Sequence, residues 1–155
     1  MTDLSDLLRP DAVLMDAAAA NKKAIFHSMA TAIAPHIAID ARLIVDVIPA
    51  REKLGSTGFG NGVAIPHGKM EGLDQVVGVF ARLAQPIEFQ SVDGLPVDLV
   101  FMLLSPVGAG ADHLKALARV SRRLRDRAFL AKLRGAGSPD ALYALFSADE
   151  AGDAA

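Results

Sequence analysis

The segment Gly55-Ser56-Thr57-Gly58-Phe59-Gly60-Asn61-Gly62 leads through three apolar residues, Val63-Ala64-Ile65, into Pro66-His67-Gly68-Lys69. Glycine lets backbone N–H groups approach a ligand closely and take up positive φ, so such a loop can cradle an anion. Pro66 ends the pairing of the preceding strand and fixes its own φ, which holds His67 in one place at a sheet edge. An imidazole set among amide donors and a cation can attack phosphorus and carry the group. A histidine in a loop is more often only hydrogen-bonded or solvated, and glycine-rich turns mostly reverse the chain. Here five glycines fall within fourteen residues that end on Pro-His-Gly, and that conjunction favours chemistry.

His113 is the second candidate. It follows Asp112 at the start of a long helical pattern, just after a loop containing Gly108 and Gly110. Helix N-termini expose unpaired N–H groups and partial positive charge, which favour an anion. Brought beside His67, its ring would share one phosphate; taken alone, it reads as a surface histidine near a cap. Arg51, just before the glycine loop, offers a fork of donors to phosphate oxygens. Lys53 offers a point charge, and both residues otherwise serve as solvated helix charges beside Glu52. In the loop, Ser56 and Thr57 can donate hydroxyls and Gly58, Gly60, Asn61 and Gly62 backbone amides, or they shape the turn alone.

Other chemistries fail on spacing. Gly68-Lys69 is followed by Met70, and Val63 stands where a Walker loop needs glycine. Gly58 and Gly60 are followed by Val63 where a dinucleotide fingerprint needs its third glycine. His27 and His36 stand alone, and only Asp112 and Glu71 lie near His113 and His67 as carboxylates, so no metal and no cofactor is expected. Seven basic residues and one acid, Asp126, occupy 119–134. Without interleaved aromatic residues this run reads as a solvated helix face rather than a nucleic-acid site, with a protein partner as the second reading.

The elements that must position these groups follow from pattern. The chain has 155 residues, 52% hydrophobic, no cysteine and a net charge of −2. That suits one domain over 1–148 with a real core, and a frayed tail over 149–155. Absence of cysteine excludes thiol chemistry and fits a reducing compartment. The acidic start and short apolar runs give no secretory signal or membrane span, so a cytoplasmic protein is expected. The spacing predicts a helical turn over Leu4–Leu8 closed by Pro10, and a brief strand at Val13–Met15. A helix from Asn21 to Ala34 should stop before Pro35, and another from Asp40 should be kinked or restarted by Pro49. Gln75–Leu83 and Val97–Leu104 read as buried strands. Ile87–Phe89 reads as an edge segment, Ser105–Gly110 as a loop. A helix from Asp112 should turn Leu114, Leu117, Ala118 and Leu124 inward. Phe129–Leu133 continues it or starts another, and a last helix is opened by Ser138 and Pro139. The class is α/β, a single domain with a mixed sheet flanked by helices.

Arg51-Glu52-Lys53-Leu54-Gly55-Ser56-Thr57-Gly58 through Ile65-Pro66-His67-Gly68-Lys69 closely resembles the active-site signature of the IIA components of the bacterial phosphoenolpyruvate-dependent phosphotransferase system, fructose and mannitol class. Its nitrogen-regulatory branch looks most similar, and the likeness runs over nearly the whole chain. The resemblance implies that His67 accepts a phosphoryl group on Nε2 from a small histidine phosphocarrier protein. It also implies that His113 and Arg51 stabilise that group and that a mixed sheet is flanked by helices. It further implies regulatory partners that distinguish phosphorylated from unphosphorylated protein. The runner-up within the family is a sugar-specific IIA subunit that passes phosphate to a IIB protein. From another class comes a module that binds an anion without covalent chemistry. Phe59, Ile65 and Met70 are the candidates for an apolar docking rim.

Overall fold

A computed structural model of the chain describes residues 4–148, so the expected tail at 149–155 lies outside the described residues. The architecture is α/β, one mixed sheet flanked by helices, as the pattern predicts. Strands β1 (Leu8–Ala17), β5 (Val77–Ile87) and β6 (Val97–Pro106) form its long part; β2 (Gly58–Gly60), β3 (Val63–Ala64) and β4 (His67–Met70) are short. The order is β1-β5-β6-β3-β2, with β4 also paired to β6. β1 lies parallel to β5, β5 antiparallel to β6, and β3 and β4 both parallel to β6. Every residue of β6 from Leu99 to Ser105 is fully buried, as expected for a strand covered on both faces.

Helices α1 (Lys22–Ile37) and α2 (Ala41–Glu52) pack on one face; α3 (Ala111–Leu124), α4 (Arg127–Gly135) and α5 (Pro139–Ser147) cover the other. On the second face Phe146 of α5 sits 4.7 Å from Phe80, 5.7 Å from Phe101 and 5.4 Å from Phe129, ring centre to ring centre. These are spacings at which aromatic edges and faces attract. Asn21, Asp40 and Ser138 cap helices where the sequence starts them, each accepting an amide of its own first turn, and Asp126 does the same for α4.

Several local expectations are corrected. The turn at Leu4–Leu8 is present but is not closed by Pro10: the brief strand becomes the ten-residue β1, which starts at Leu8 and runs through Pro10. Proline is tolerated there because among the described residues β1 pairs with β5 alone and is an edge strand. Helix α1 continues past Pro35 to Ile37 and stops at Ala38, whose φ of 55° is left-handed. Helix α2 runs unbroken through Pro49, held down by Ile44 and Ile48, which are buried in the turns just before it. Strand β5 continues to Ile87 through an irregularity after Arg82. Ser105 belongs to β6 rather than to the loop. Helix α3 is rotated from the expected face: Leu114 is exposed, while His113, Ala116, Val120, Arg123 and Leu124 are buried. The residues it presents inward are thus a histidine and an arginine as well as apolar ones.

Candidate active site

Alternate residues of a strand face opposite ways, and this places the site. In the β4–β6 ladder His67 stands opposite Leu103 and Lys69 opposite Ser105. His67, Lys69 and Ser105 therefore share the face covered by α3, whereas Gly68 and Met70 face α2. A Cβ at Gly68 would come within 2.5 Å of Val47 Cγ1. Glycine there lets α2 lie directly on β4, and the last turn of that helix carries Arg51 and Glu52 toward His67. Pro66 sits between β3 and β4 and its carbonyl accepts the Leu103 N–H at 2.9 Å, so the chain keeps its register on β6 across the break. His67 begins the strand that follows the proline.

The ring of His67 is half-buried, and its Nδ1 lies 2.8 Å from the Ile65 carbonyl oxygen. A carbonyl can only accept, so Nδ1 carries the proton and Nε2 is left with its lone pair. Burial pushes the imidazole below its ordinary 6.5; the bond to Ile65 and the Glu52 charge oppose this, and the Arg51 charge reinforces it. His113 lies across from it, with ring centres 5.7 Å apart and planes inclined at 48°. It is buried, and its Nδ1 lies 2.5 Å from Ser105 Oγ. Burial lowers its pKa too, with the charges of His67 and Lys69 acting in the same direction. Two neutral imidazoles thus face one another at the sheet edge.

A pH dependence follows. In the unfolded chain both histidines take a proton near pH 6.5, and in the folded chain only below it. Stability is therefore expected to fall as pH drops from 6.5 through the folded-state values, because the unfolded state then binds more protons. Nuclear magnetic resonance titration of the His67 ring should give a midpoint below 6.5. A midpoint at or above that value contradicts this placement.

Arg51 donates from Nη1 to the Gly55 carbonyl at 2.9 Å, which leaves its remaining N–H groups for an anion. The loop after it is used differently from the sequence expectation. Thr57 gives its amide and its hydroxyl to the Glu52 carboxylate at 3.1 and 2.7 Å. Ser56 donates its hydroxyl to the Phe89 carbonyl at 2.6 Å and accepts the Gly58 N–H at 3.1 Å. Asn61, at φ 59°, gives its N–H to Asp93, and its carbonyl accepts from Arg134. At Gly62, φ 80°, a Cβ would lie 2.5 Å from Arg134 Nη2 and 2.7 Å from Asp98 Oδ1. Gly60, φ 115°, faces Asp93 in the same way. The glycine-rich segment is thus a hairpin in which the Ser56 and Thr57 hydroxyls and the Thr57, Gly58 and Asn61 amides are bonded within the protein, with carboxylates beside it. The groups brought together are His67, His113, Arg51, Glu52, Lys69 and Ser105.

Sequence reasoning missed Ser105 and gave Glu52 no role. The signal for Ser105 is its position, a hydroxyl ending a run of buried apolar residues in the β6 register. The apolar rim also differs: Ile65 and Met70 are buried, and Phe59 lies under Arg125 at 5.3 Å from its ring centre. The large apolar side chains exposed nearest the site in sequence are Leu54, Val107 and Leu114. Most of the basic run is a solvated face, with Arg122, Arg125, Arg127, Lys132 and Arg134 exposed, but three of its arginines also make contacts within the fold. Arg119 pairs with Asp6, buried Arg123 covers Phe129, and Arg134 pairs with Asp98. Among the described residues no helix is long and apolar enough to cross a membrane.

Comparison with known proteins agrees with this arrangement. The family described as "Phosphoenolpyruvate-dependent sugar phosphotransferase system, EIIA 2" matches residues 6–149. A nitrogen regulatory protein of Bradyrhizobium diazoefficiens is 47% identical over 144 residues, covering 93% of this chain and 94% of that one. A nitrogen regulatory protein of Pseudomonas aeruginosa is 39% identical over 147 residues, covering 94% and 95%. The crystal structure of nitrogen regulatory protein IIA-Ntr from Neisseria meningitidis superimposes with a TM-score of 0.87 at 32% identity, covering 92% of this chain and 97% of the other.

Proposed function

Because the chain belongs to the EIIA 2 family of the phosphoenolpyruvate-dependent phosphotransferase system, we propose that His67 is its phosphoryl acceptor. We propose further that the protein is a cytoplasmic regulator whose partners read its phosphorylation state. The observation that carries this reading is a neutral imidazole at a sheet edge, with Nδ1–H held by Ile65 and Nε2 turned loose beside His113. In the reaction, the bond between His67 Nε2 and phosphorus forms as the bond from phosphorus to the donor's imidazole nitrogen breaks. The electron pair of the broken bond returns to the donor ring. The transition state is loose and in line, so positioning and charge supply most of the rate. Arg51 and His113 offer donors to the equatorial oxygens, and Lys69 adds positive charge. The proton on Nδ1 stays on the ring, bonded to Ile65, and the phosphohistidine is formed without a separate base.

The phosphoryl donor is a small histidine phosphocarrier protein. Phosphorylation sets three acceptor oxygens bearing about two negative charges where an uncharged ring stood, offset in part by the positive charge of the ring that keeps its Nδ1 proton. A partner surface that fits one form is repelled by the other, and this is the physical basis of regulation. Likeness to nitrogen regulatory proteins supports the regulatory reading over sugar transport.

Incubation with phosphoenolpyruvate, the first enzyme of the system and the phosphocarrier tests it. The expected result is a mass gain of one phosphate, stable in base and lost in acid. No gain under conditions where a control IIA protein reacts defeats the proposal in favour of non-covalent anion binding. Onward passage to a IIB protein in the same mixture would make the chain a sugar-specific subunit instead.

A further inference from the structure

We propose that Ser105 fixes the tautomer of His113, so that its proton sits on Nε2 and points a hydrogen-bond donor at whatever His67 carries. This rests on reading His67 as the phosphoryl acceptor, and it concerns a residue that contacts neither phosphate nor partner. Ser105 is fully buried in β6, and its Oγ lies 2.5 Å from His113 Nδ1. One proton lies on the line between these atoms. If Nδ1 held it, the buried serine hydroxyl would need a second acceptor for its own hydrogen, and among the described residues its oxygen has no other partner. If the hydroxyl donates, both groups are satisfied and Nδ1 is the acceptor. Neutral His113 must then hold its proton on Nε2. Burial and the nearby charges of Lys69 and His67 keep the ring in its neutral form.

The two imidazoles are consequently held in opposite tautomers by two different strands. Ile65, just after β3, accepts a hydrogen bond from His67 Nδ1–H through its carbonyl and frees Nε2 as a nucleophile. Ser105, at the end of β6, gives a proton to His113 Nδ1 and makes Nε2 a donor. The reverse tautomer would set a lone pair of His113 against the phosphoryl oxygens, where repulsion replaces a hydrogen bond. Lys69 and Ser105 are paired across the β4–β6 ladder, so this arrangement is built into the register of the sheet. Ser105 acts as a positioning residue, its effect passing through His113 alone.

Long-range proton–nitrogen spectra of the unphosphorylated, histidine-labelled protein read both tautomers directly. The wild type should show His67 protonated on Nδ1 and His113 on Nε2. In Ser105→Ala the His113 signal should move toward the Nδ1 form, while His67 keeps its own. The rate of phosphoryl uptake should fall about ten- to a hundredfold, the usual range for a residue that orients another, with the KM for the phosphocarrier unchanged. Adding Ser105→Ala to His113→Ala should cost nothing more, and Ser105→Thr, which keeps the hydroxyl, should restore the Nε2 form. A wild-type His113 protonated on Nδ1 overturns the proposal even if phosphate uptake is normal. So does a Ser105→Ala protein whose tautomer and rate are unchanged. Failure of the wild type to take up phosphate would overturn the acceptor reading instead, and the spectra would still decide what Ser105 does.

Discussion

His67→Ala is expected to lose phosphoryl uptake completely, by more than about ten-thousandfold, while the domain stays folded. The two halves of this expectation have different causes. A covalent carrier has no substitute for its nucleophile, and the nearest ring, that of His113, is held by Ser105 through Nδ1 and lies 5.7 Å away, centre to centre. Removing a donor that merely stabilises the phosphate is a smaller loss: about 2.7–4 kcal/mol for one such group, which slows transfer and leaves it measurable. His113→Ala therefore belongs in the same experiment as the partial case. Stability should change little, because His67 is half-buried and gives up one hydrogen bond to Ile65, worth about 1 kcal/mol. Intact-mass measurement after exposure to the phosphorylating mixture, paired with a thermal melt, separates loss of chemistry from loss of fold. Acid-labile phosphate persisting on His67→Ala at the wild-type level would move the acceptor to His113. His67→Gln should behave like the alanine variant in transfer, since an amide keeps a donor near Ile65 and still has no nucleophile.

What could be seen in the chain beforehand was whatever local chemistry dictates. Asn21, Asp40 and Ser138 announce helix starts because their short side chains reach the orphan amides of the first turn, and each does so. The apolar runs of β5 and β6 announce buried strands. The His67 segment stands out because proline, histidine and glycine in succession, behind a glycine-rich loop, serve no ordinary structural need. What stayed hidden depends on contacts between segments distant in sequence. Pro35 reads as a helix end and Pro49 as a kink or restart, but the burial of Ile33, Ile44 and Ile48 outweighs one lost hydrogen bond in each helix. The face of α3 was misjudged because its leucines mark only a weak stripe, whereas the inward positions include Arg123, whose guanidinium covers Phe129 at 4.0 Å. The glycine loop read as an anion cradle because glycine signals close approach without saying of what. Here Gly62 is approached by Arg134 and Asp98, and Gly58 by Ser91. Asp93 and Asp98 come from 31 or more residues downstream, and no local rule places them beside the hairpin.

Glu52 is the clearest such case, and Glu52→Gln is expected to weaken both the fold and the site. Its carboxylate accepts from Lys22 Nζ at 2.8 Å, from the Thr57 amide at 3.1 Å and from the Thr57 hydroxyl at 2.7 Å. It thereby ties the start of α1, the end of α2 and the loop after Arg51 to one point. Its side chain is only 7% exposed. Glutamine has nearly the same shape, and with its carbonyl in the place of Oε2 its amino group donates to the Thr57 hydroxyl, so the hydrogen bonds are kept but Lys22 loses its counter-charge. Removing one partner of such a group costs about 3 kcal/mol, a shift of about 6–12 °C in melting temperature for a domain of this size. Thr57→Val, which deletes a single one of these bonds, should cost about 1 kcal/mol. The effect on the site goes further than stability. Arg51 sits one residue before Glu52 on the same helical turn, so its aim at the phosphoryl group loosens and uptake slows. The Glu52 charge also holds the His67 pKa up against burial and Arg51. Its loss should carry the acid limb of the pH–rate profile further below 6.5 even as the protein itself weakens. General loosening would let water reach His67 and move that limb the other way, toward 6.5. The direction of the displacement thus separates a charge acting on the imidazole from a residue that only props up the loop.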